Sequence, residues 1–225
     1  MEKRASEPRT CVPVPQIEDD FYDWYARHEA KVADNAAGKF DLVMIGDSLT
    51  HFWKDEHNYG EGSWDAFFSG RKVLNLGFGF DRTQNVLWRL EHGELTGQSP
   101  KVIVLNIGTN QFSVTERYPG GDSPEDTVRG ICKVVSMLLD ECPTSKIVVM
   151  KLFPRAGKGE LIAAVNALLD TMLPDDPRVE RLDIGGLLGT APDAPRPEFY
   201  QQDGCHLNRG GYEVWYRGIA RYLDF

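Results

Sequence analysis

The chain has 225 residues, enough for one sizeable α/β domain, and 41% of them are hydrophobic, the balance of a globular protein rather than a disordered one. Its formal net charge of −9 excludes a generic nucleic-acid binder, because no basic excess is present to neutralise phosphates. No apolar run is long enough to span a bilayer, and four scattered cysteines (Cys11, Cys132, Cys142, Cys205) with no CxxC pair give neither a disulfide framework nor zinc-ligand spacing.

Free thiols are therefore expected, with Cys132–Cys142 the pair to watch as an exception. Residues 1–16 are polar, carry three prolines and do not read as a signal peptide. As written, the sequence implies a cytoplasmic protein, or a secreted or periplasmic one if a leader has been removed. Residues 1–16 read as a loose arm. Residues 17–37 read as a helix, with Phe21, Trp24, Tyr25 and His28 at helical spacing and Gly38 ending it. The expected organisation is an arm and helix (1–37) packing on a single domain (38–225).

A buried strand is predicted over 40–46, broken by Gly46-Asp47, with Ser48 at the handover to a helix. A serine there sits among helix N-terminal N–H groups, which favour developing negative charge and suit a nucleophile. The same position suits an N-cap, and this stretch alone does not separate the two. Residues 54–70 read as irregular, with aromatics at Trp64, Phe67 and Phe68. A second strand, 72–76, runs into the glycine-rich turn 77–81, and a helix follows over 83–91. A third strand (101–107) ends in Gly108-Thr109-Asn110-Gln111. Next come a helix from about 124 to 141, a strand over 146–152, a helix over 159–173 and a short strand over 179–184. A proline-rich loop then leads to Asp203-Gly204-Cys205-His206, and the last helix starts near Arg209. Five alternations predict a three-layer α/β/α sandwich with a flavodoxin-like, five-stranded parallel sheet of order 2-1-3-4-5. In such a sheet ligands bind at the carboxyl ends of the strands, where the polar punctuation falls.

Covalent ester hydrolysis needs a nucleophile, a base, an orienter for the base and oxyanion donors. Ser48, His206 and Asp203 supply the first three. The oxyanion donors would be the Ser48 N–H, an N–H at Gly79 or Phe80, and the Asn110 amide. Gly46-Asp47-Ser48-Leu49, Asn75…Gly79-Phe80-Asp81, Gly108-Thr109-Asn110 and Asp203-x-x-His206 resemble the four blocks of the SGNH (GDSL) hydrolase superfamily. The stretch from Asn75 to Leu90 is similar to the branch containing the platelet-activating-factor acetylhydrolase Ib catalytic subunits. The resemblance implies a serine esterase releasing a short acyl group, acetyl foremost, from an acetylated carbohydrate or a lipid-like ester. It calls for no cofactor, metal or nucleic acid, and it raises a homodimer to which an exposed aromatic region at 52–68 would contribute. Where the family carries Gly before the Asp of its second block, this chain has Phe80, and Gln111 stands where the branch often has Asn.

Two other readings stay open. One is a lysophospholipase or thioesterase acting on longer chains, and the other a non-catalytic binding protein, supported only by Phe80. Among the other histidines, His51 is a rival base, while His28, His57 and His92 read as solvated or cap-forming. Trp53 is a candidate for lining the acyl pocket. Because a histidine base must be neutral to accept a proton, activity is expected to rise with pH between about 6 and 8.

Overall fold

The structure is a computed structural model that describes residues 6–18 and 21–225; expectations that fall on residues 1–5 and 19–20 lie outside the described residues. Five parallel strands, β1 (Leu42–Gly46), β2 (Val73–Gly77), β3 (Val102–Asn106), β4 (Lys146–Met150) and β5 (Val179–Leu182), form one sheet in the order β2-β1-β3-β4-β5. The sheet is covered on both faces, so its inner strands β1, β3 and β4 are almost entirely apolar instead of alternating with polar residues, while the edge strand β5 carries Glu180 and Arg181. Successive side chains point to opposite faces. Val43, Ile45, Ile103, Leu105, Ile147 and Val149 pack under α4 (Thr83–Glu91), α5 (Pro124–Glu141) and α6 (Gly159–Met172). Leu42, Met44, Val102, Val104, Val148 and Met150 pack under α2 (Ser48–His51), α3 (Ser63–Phe67) and α8 (Arg209–Ile219). The sandwich predicted from the alternation is the one observed.

Local signals set the helix ends. Ser123 caps α5 by accepting the Asp126 N–H at 3.0 Å, with Pro124 in the first turn, a cap worth about 1 kcal/mol. Asp23 caps α1 (Trp24–Ala37) by accepting the Ala26 N–H. The first helix therefore starts at Trp24 and not at 17, because the cap fixes extended backbone at Asp23 and leaves the preceding residues to reach elsewhere. The stretch 54–70, read as irregular, contains the one-and-a-half-turn helix α3. Between β5 and the Asp203 turn lie a short helix α7 (Gly185–Leu188) and a small hairpin, β6 (Gly189–Ala191) with β7 (Ala194–Pro195), the latter strand inside the proline-rich loop.

Two further expectations are corrected, and the expected free thiols are found. The arm is not loose: it forms a 3₁₀ turn over Arg9–Cys11 against α4 and α5, Thr10 and Gln16 are buried, and the Thr10 carbonyl accepts from Thr83 Oγ1 at 2.8 Å. The aromatics at 52–68 are mostly not exposed. Trp53 stacks on Tyr212 and packs on Trp215, and Phe52, Trp64 and Phe68 are buried with it, so this region offers little apolar surface to a second copy. Cys132 and Cys142 do not pair: the first thiol donates to the Met172 carbonyl and the second to the Gln98 carbonyl. No helix among the described residues is long and apolar enough to cross a membrane.

Candidate active site

Strands β1 and β2 both end in glycine because α2 lies directly across them. A Cβ at Gly46 would sit 2.4 Å from Thr50 Oγ1, and one at Gly77 would sit 2.2 Å from the His51 backbone nitrogen. That close approach places Ser48 above the strand ends. Asp47, the cap of α2, accepts the Leu49 N–H at 3.0 Å, so its carboxyl ties down the turn. The helix itself is one turn long, shorter than the sequence suggests. Any charge stabilisation at Ser48 therefore comes from nearby N–H groups more than from a macrodipole.

The opposite wall is a turn after β5. The Gln201 N–H donates to the His206 carbonyl at 2.8 Å, and Gly204 takes a left-handed φ of 62° that lets the chain reverse. Asp203 Oδ1 accepts the N–H groups of Cys205 (2.9 Å) and His206 (3.0 Å), and Oδ2 lies 2.6 Å from His206 Nδ1. His206 Nε2 lies 2.9 Å from Ser48 Oγ, across 158 residues of sequence. Partial burial pushes the Asp203 carboxyl up, but the hydrogen bonds from the His206 ring and from the two N–H groups outweigh it and hold it below the usual carboxylate range.

Ser48, Asp203, His206, Phe80 and Asn110 line one cleft of about 220 Å³, together with Phe21, Phe52, His57, Tyr59 and Arg155. Asn110 sits in a 3₁₀ turn after β3. Its Nδ2 spends one hydrogen on the Asp81 carbonyl at 3.1 Å and keeps a second. The Ser48 and Phe80 N–H groups meet no acceptor among the described residues. The Gly79 N–H does: it donates to His51 Nδ1 at 3.1 Å. Of the two candidate donors on this loop, Gly79 is thus already engaged and Phe80 is free. Phe80 holds φ at 59°, the left-handed region that glycine occupies without strain, and its ring is 44% exposed at the cleft. A similar-sized hollow of about 230 Å³ beside Leu152 and Gly185 is lined by the Asp183 carboxyl but holds no serine, cysteine or histidine.

The family model described as GDSL-like lipase/acylhydrolase matches residues 44–214. The chain belongs to that family. Human platelet-activating factor acetylhydrolase IB subunit alpha1 is 33% identical over 227 residues, covering 99% of this chain and 90% of that protein. The rat alpha2 subunit is 34% identical over 194 residues, 84% of this chain and 78% of its own. A proposed acylhydrolase from Bacteroides fragilis shares the fold with a TM-score of 0.68 at 20% identity, covering 92% of this chain and 98% of its own. This GDSL hydrolase thus acts on ester bonds.

Several other side chains are placed differently from the sequence reading. His51, the rival base, is fully buried. Burial, then the cations of Arg27 and Lys31, drive its pKa down to about 2, so it stays a neutral acceptor for Gly79. His28 is not solvated but buried against Glu94 at 2.8 Å, while His92 ends α4 with Nδ1 2.6 Å from the Trp88 carbonyl. Trp53 is core, and Phe52, which packs on the His206 ring, stands in the cleft instead. Gln111, where the branch often has Asn, is not among the residues lining the cleft. It is buried, accepts the Thr83 N–H at 3.1 Å and donates to Asp122, joining the β3 loop to α4. Arg155 lines the cleft, and its NH1 donates to the Thr109 carbonyl at 3.0 Å. Burial pushes the Cys205 thiol up to about 11, which leaves it a poor nucleophile.

Burial also raises Asp47 to about 7 and Asp81 to about 6, from an ordinary value of 3.8. The folded protein thus holds protons that the unfolded chain has released, so stability from these two groups is full below about pH 4 and is lost as pH rises to 7. Between pH 5 and pH 8 the wild type is expected to lose about 4 kcal/mol on this account, most of it at Asp47. Urea unfolding at the two pH values checks this. Asp47→Asn keeps an acceptor for Leu49 and should remove most of the difference; an unchanged difference would contradict the assignment.

Proposed function

We propose that this hydrolase is a serine esterase that cleaves short-chain acyl esters, acetyl foremost, through Ser48, His206 and Asp203. The observation that carries the reading is the 2.9 Å contact between His206 Nε2 and Ser48 Oγ, with the other ring nitrogen held by Asp203. Ser48 Oγ attacks the carbonyl carbon while its proton passes to His206 Nε2. Asp203 fixes the ring orientation and stabilises the imidazolium that forms. The oxyanion accepts from the Ser48 and Phe80 N–H groups and from the second Asn110 amide hydrogen, each such donor worth about 3 kcal/mol of barrier. His206 then protonates the departing alcohol, and water, deprotonated by the same ring, releases the acid from the acyl-enzyme.

Two features support a short acyl group. The cleft, about 220 Å³, is small for a ligand site and is walled by Phe21, Phe52 and Phe80. The relatives at 33–34% identity are named as acetylhydrolases. The alcohol side is open to carbohydrate or lipid-like esters. Nitrophenyl esters from acetate to decanoate, followed by acetylated sugars, test the reading with Ser48→Ala as control. Acetate or propionate should be fastest; a maximum at decanoate would overturn the short-acyl assignment.

Phe80 gives a second test. Phe80→Gly keeps the backbone N–H and relieves a left-handed conformation that costs an L-residue about 1 kcal/mol. Stability should stay within about 1 kcal/mol of wild type, acetate turnover should persist, and the octanoate-to-acetate rate ratio should rise about 10-fold as the wall is removed. A ratio unchanged from wild type would mean that Phe80 does not limit the acyl site.

A further inference from the structure

The loop that carries Phe80 is held from one side by the segment preceding the sheet. Gln16 Nε2 donates to the Gly79 carbonyl at 2.7 Å, and the Tyr22 hydroxyl donates to the same oxygen at 3.1 Å. Arg27 Nε donates to the Gly77 carbonyl at 2.9 Å, and Trp24 Nε1 donates to Asp81 Oδ1 at 2.8 Å. On the other side of the same residue, the Gly79 N–H is taken by His51 Nδ1, whose ring meets the Tyr22 ring edge-on.

The Gly79 carbonyl and the Phe80 N–H belong to one planar trans peptide unit, so they point in opposite directions. Two donors on the carbonyl therefore fix where the N–H points. The restraint opposes a real tendency. Phe80 sits at a φ of 59°, unfavourable for a residue with a side chain, and rotation of this peptide unit relieves that strain while turning the N–H away from the cleft. Gln16 is buried, so its amide has no competing solvent partner nearby. A glycine at position 80 would need no such hold; the phenylalanine does.

We propose that Gln16 and Tyr22 are positioning residues for catalysis. By clamping the Gly79 carbonyl they keep the Phe80 N–H aimed at the developing oxyanion, and this rests on the reading of Phe80 as an oxyanion donor given above. Gln16→Met removes the donor at similar size, and Tyr22→Phe removes only the hydroxyl and keeps the ring on His51. Each single change should lower kcat on nitrophenyl acetate about 5-fold, and the pair together about 50-fold, with KM within about twofold of wild type. Affinity for ethylboronic acid, whose tetrahedral adduct on Ser48 places an oxygen where the oxyanion forms, should weaken in step with kcat.

Asn110→Ala, which deletes a donor outright, serves as the reference and should cost about 10²-fold or more in kcat. If Asn110→Ala collapses kcat while the Gln16/Tyr22 pair stays within about twofold of wild type, the clamp is overturned and the oxyanion site stands. If Asn110→Ala also leaves kcat intact, the oxyanion reading itself falls and the clamp with it. A pair that loses kcat while boronate affinity is unchanged has a structural role only, which likewise overturns the proposal. Should the double variant not fold, the two single variants decide by the same comparison.

Discussion

Ser48→Ala is expected to lower kcat on nitrophenyl acetate by about 10⁴-fold or more while leaving the fold intact. The loss is large because the described residues offer no substitute nucleophile: burial raises the pKa of the nearby Cys205 thiol to about 11, and among the described residues no other serine bonds to His206. The fold should survive because among the described residues Ser48 Oγ has one hydrogen-bond partner, His206, and the substitution deletes a single heavy atom from a one-turn helix capped by Asp47. His206→Ala should match it. The double variant should be no worse than either single one, since the two groups act as a unit. Asp203→Asn should cost less: its side chain is 46% exposed, so solvent shares part of its role toward the imidazolium. Residual activity in Ser48→Ala above about a tenth of wild type, after exclusion of contaminating esterase, would contradict the mechanism.

The second large effect is on stability. Arg89 has no exposure and stands between two equally buried carboxylates: Nε donates to Asp81 Oδ2 at 2.8 Å and NH1 to Glu94 Oε2, while NH2 donates to the Leu76 carbonyl. Its guanidinium carbon lies 3.9 Å from the centre of the Phe78 ring. Arg89→Leu removes the cation and strands both carboxylates in the interior. Breaking such an arrangement costs about 3–5 kcal/mol, a large part of the 5–15 kcal/mol that stabilises a typical domain. The urea midpoint should fall accordingly. The deficit should be largest near pH 8 and ease toward pH 5, where the stranded carboxyls take up protons. A loss below about 1 kcal/mol, or one independent of pH, would mean that the partners left to Asp81 and Glu94, Trp24 and His28, suffice to hold them.

How much of this was legible in the sequence depends on how local each signal is. The run Leu42–Ile45 announces a strand buried on both faces. Ser48 and the Asp203–His206 pair each sit in short motifs, and the structure brings the three within hydrogen-bond reach of one another. The choice between Gly79 and Phe80 was not legible, because it turns on the ring of His51, 28 residues earlier, accepting the Gly79 N–H. The role of the N-terminal segment was equally hidden. Gln16 and Tyr22 reach a loop 63 and 57 residues away, and nothing in the arm's composition marks that contact. His28 looked solvated because its partner, Glu94, is 66 residues downstream. The aromatics at 52–68 looked like surface until α8 supplied Tyr212 and Trp215 to cover Trp53. Motif chemistry is written locally, and whatever is set by long-range hydrogen bonding or packing is not.

The account depends on Ser48 being a nucleophile activated by His206. Covalent labelling tests that most directly: the enzyme is treated with a small fluorophosphonate, digested, and the modified peptide located by mass spectrometry. The account predicts one label per chain, on Ser48, with labelling slowed at least about 10³-fold in His206→Ala. A label on any other residue, or Ser48 labelled at the wild-type rate without His206, would contradict it.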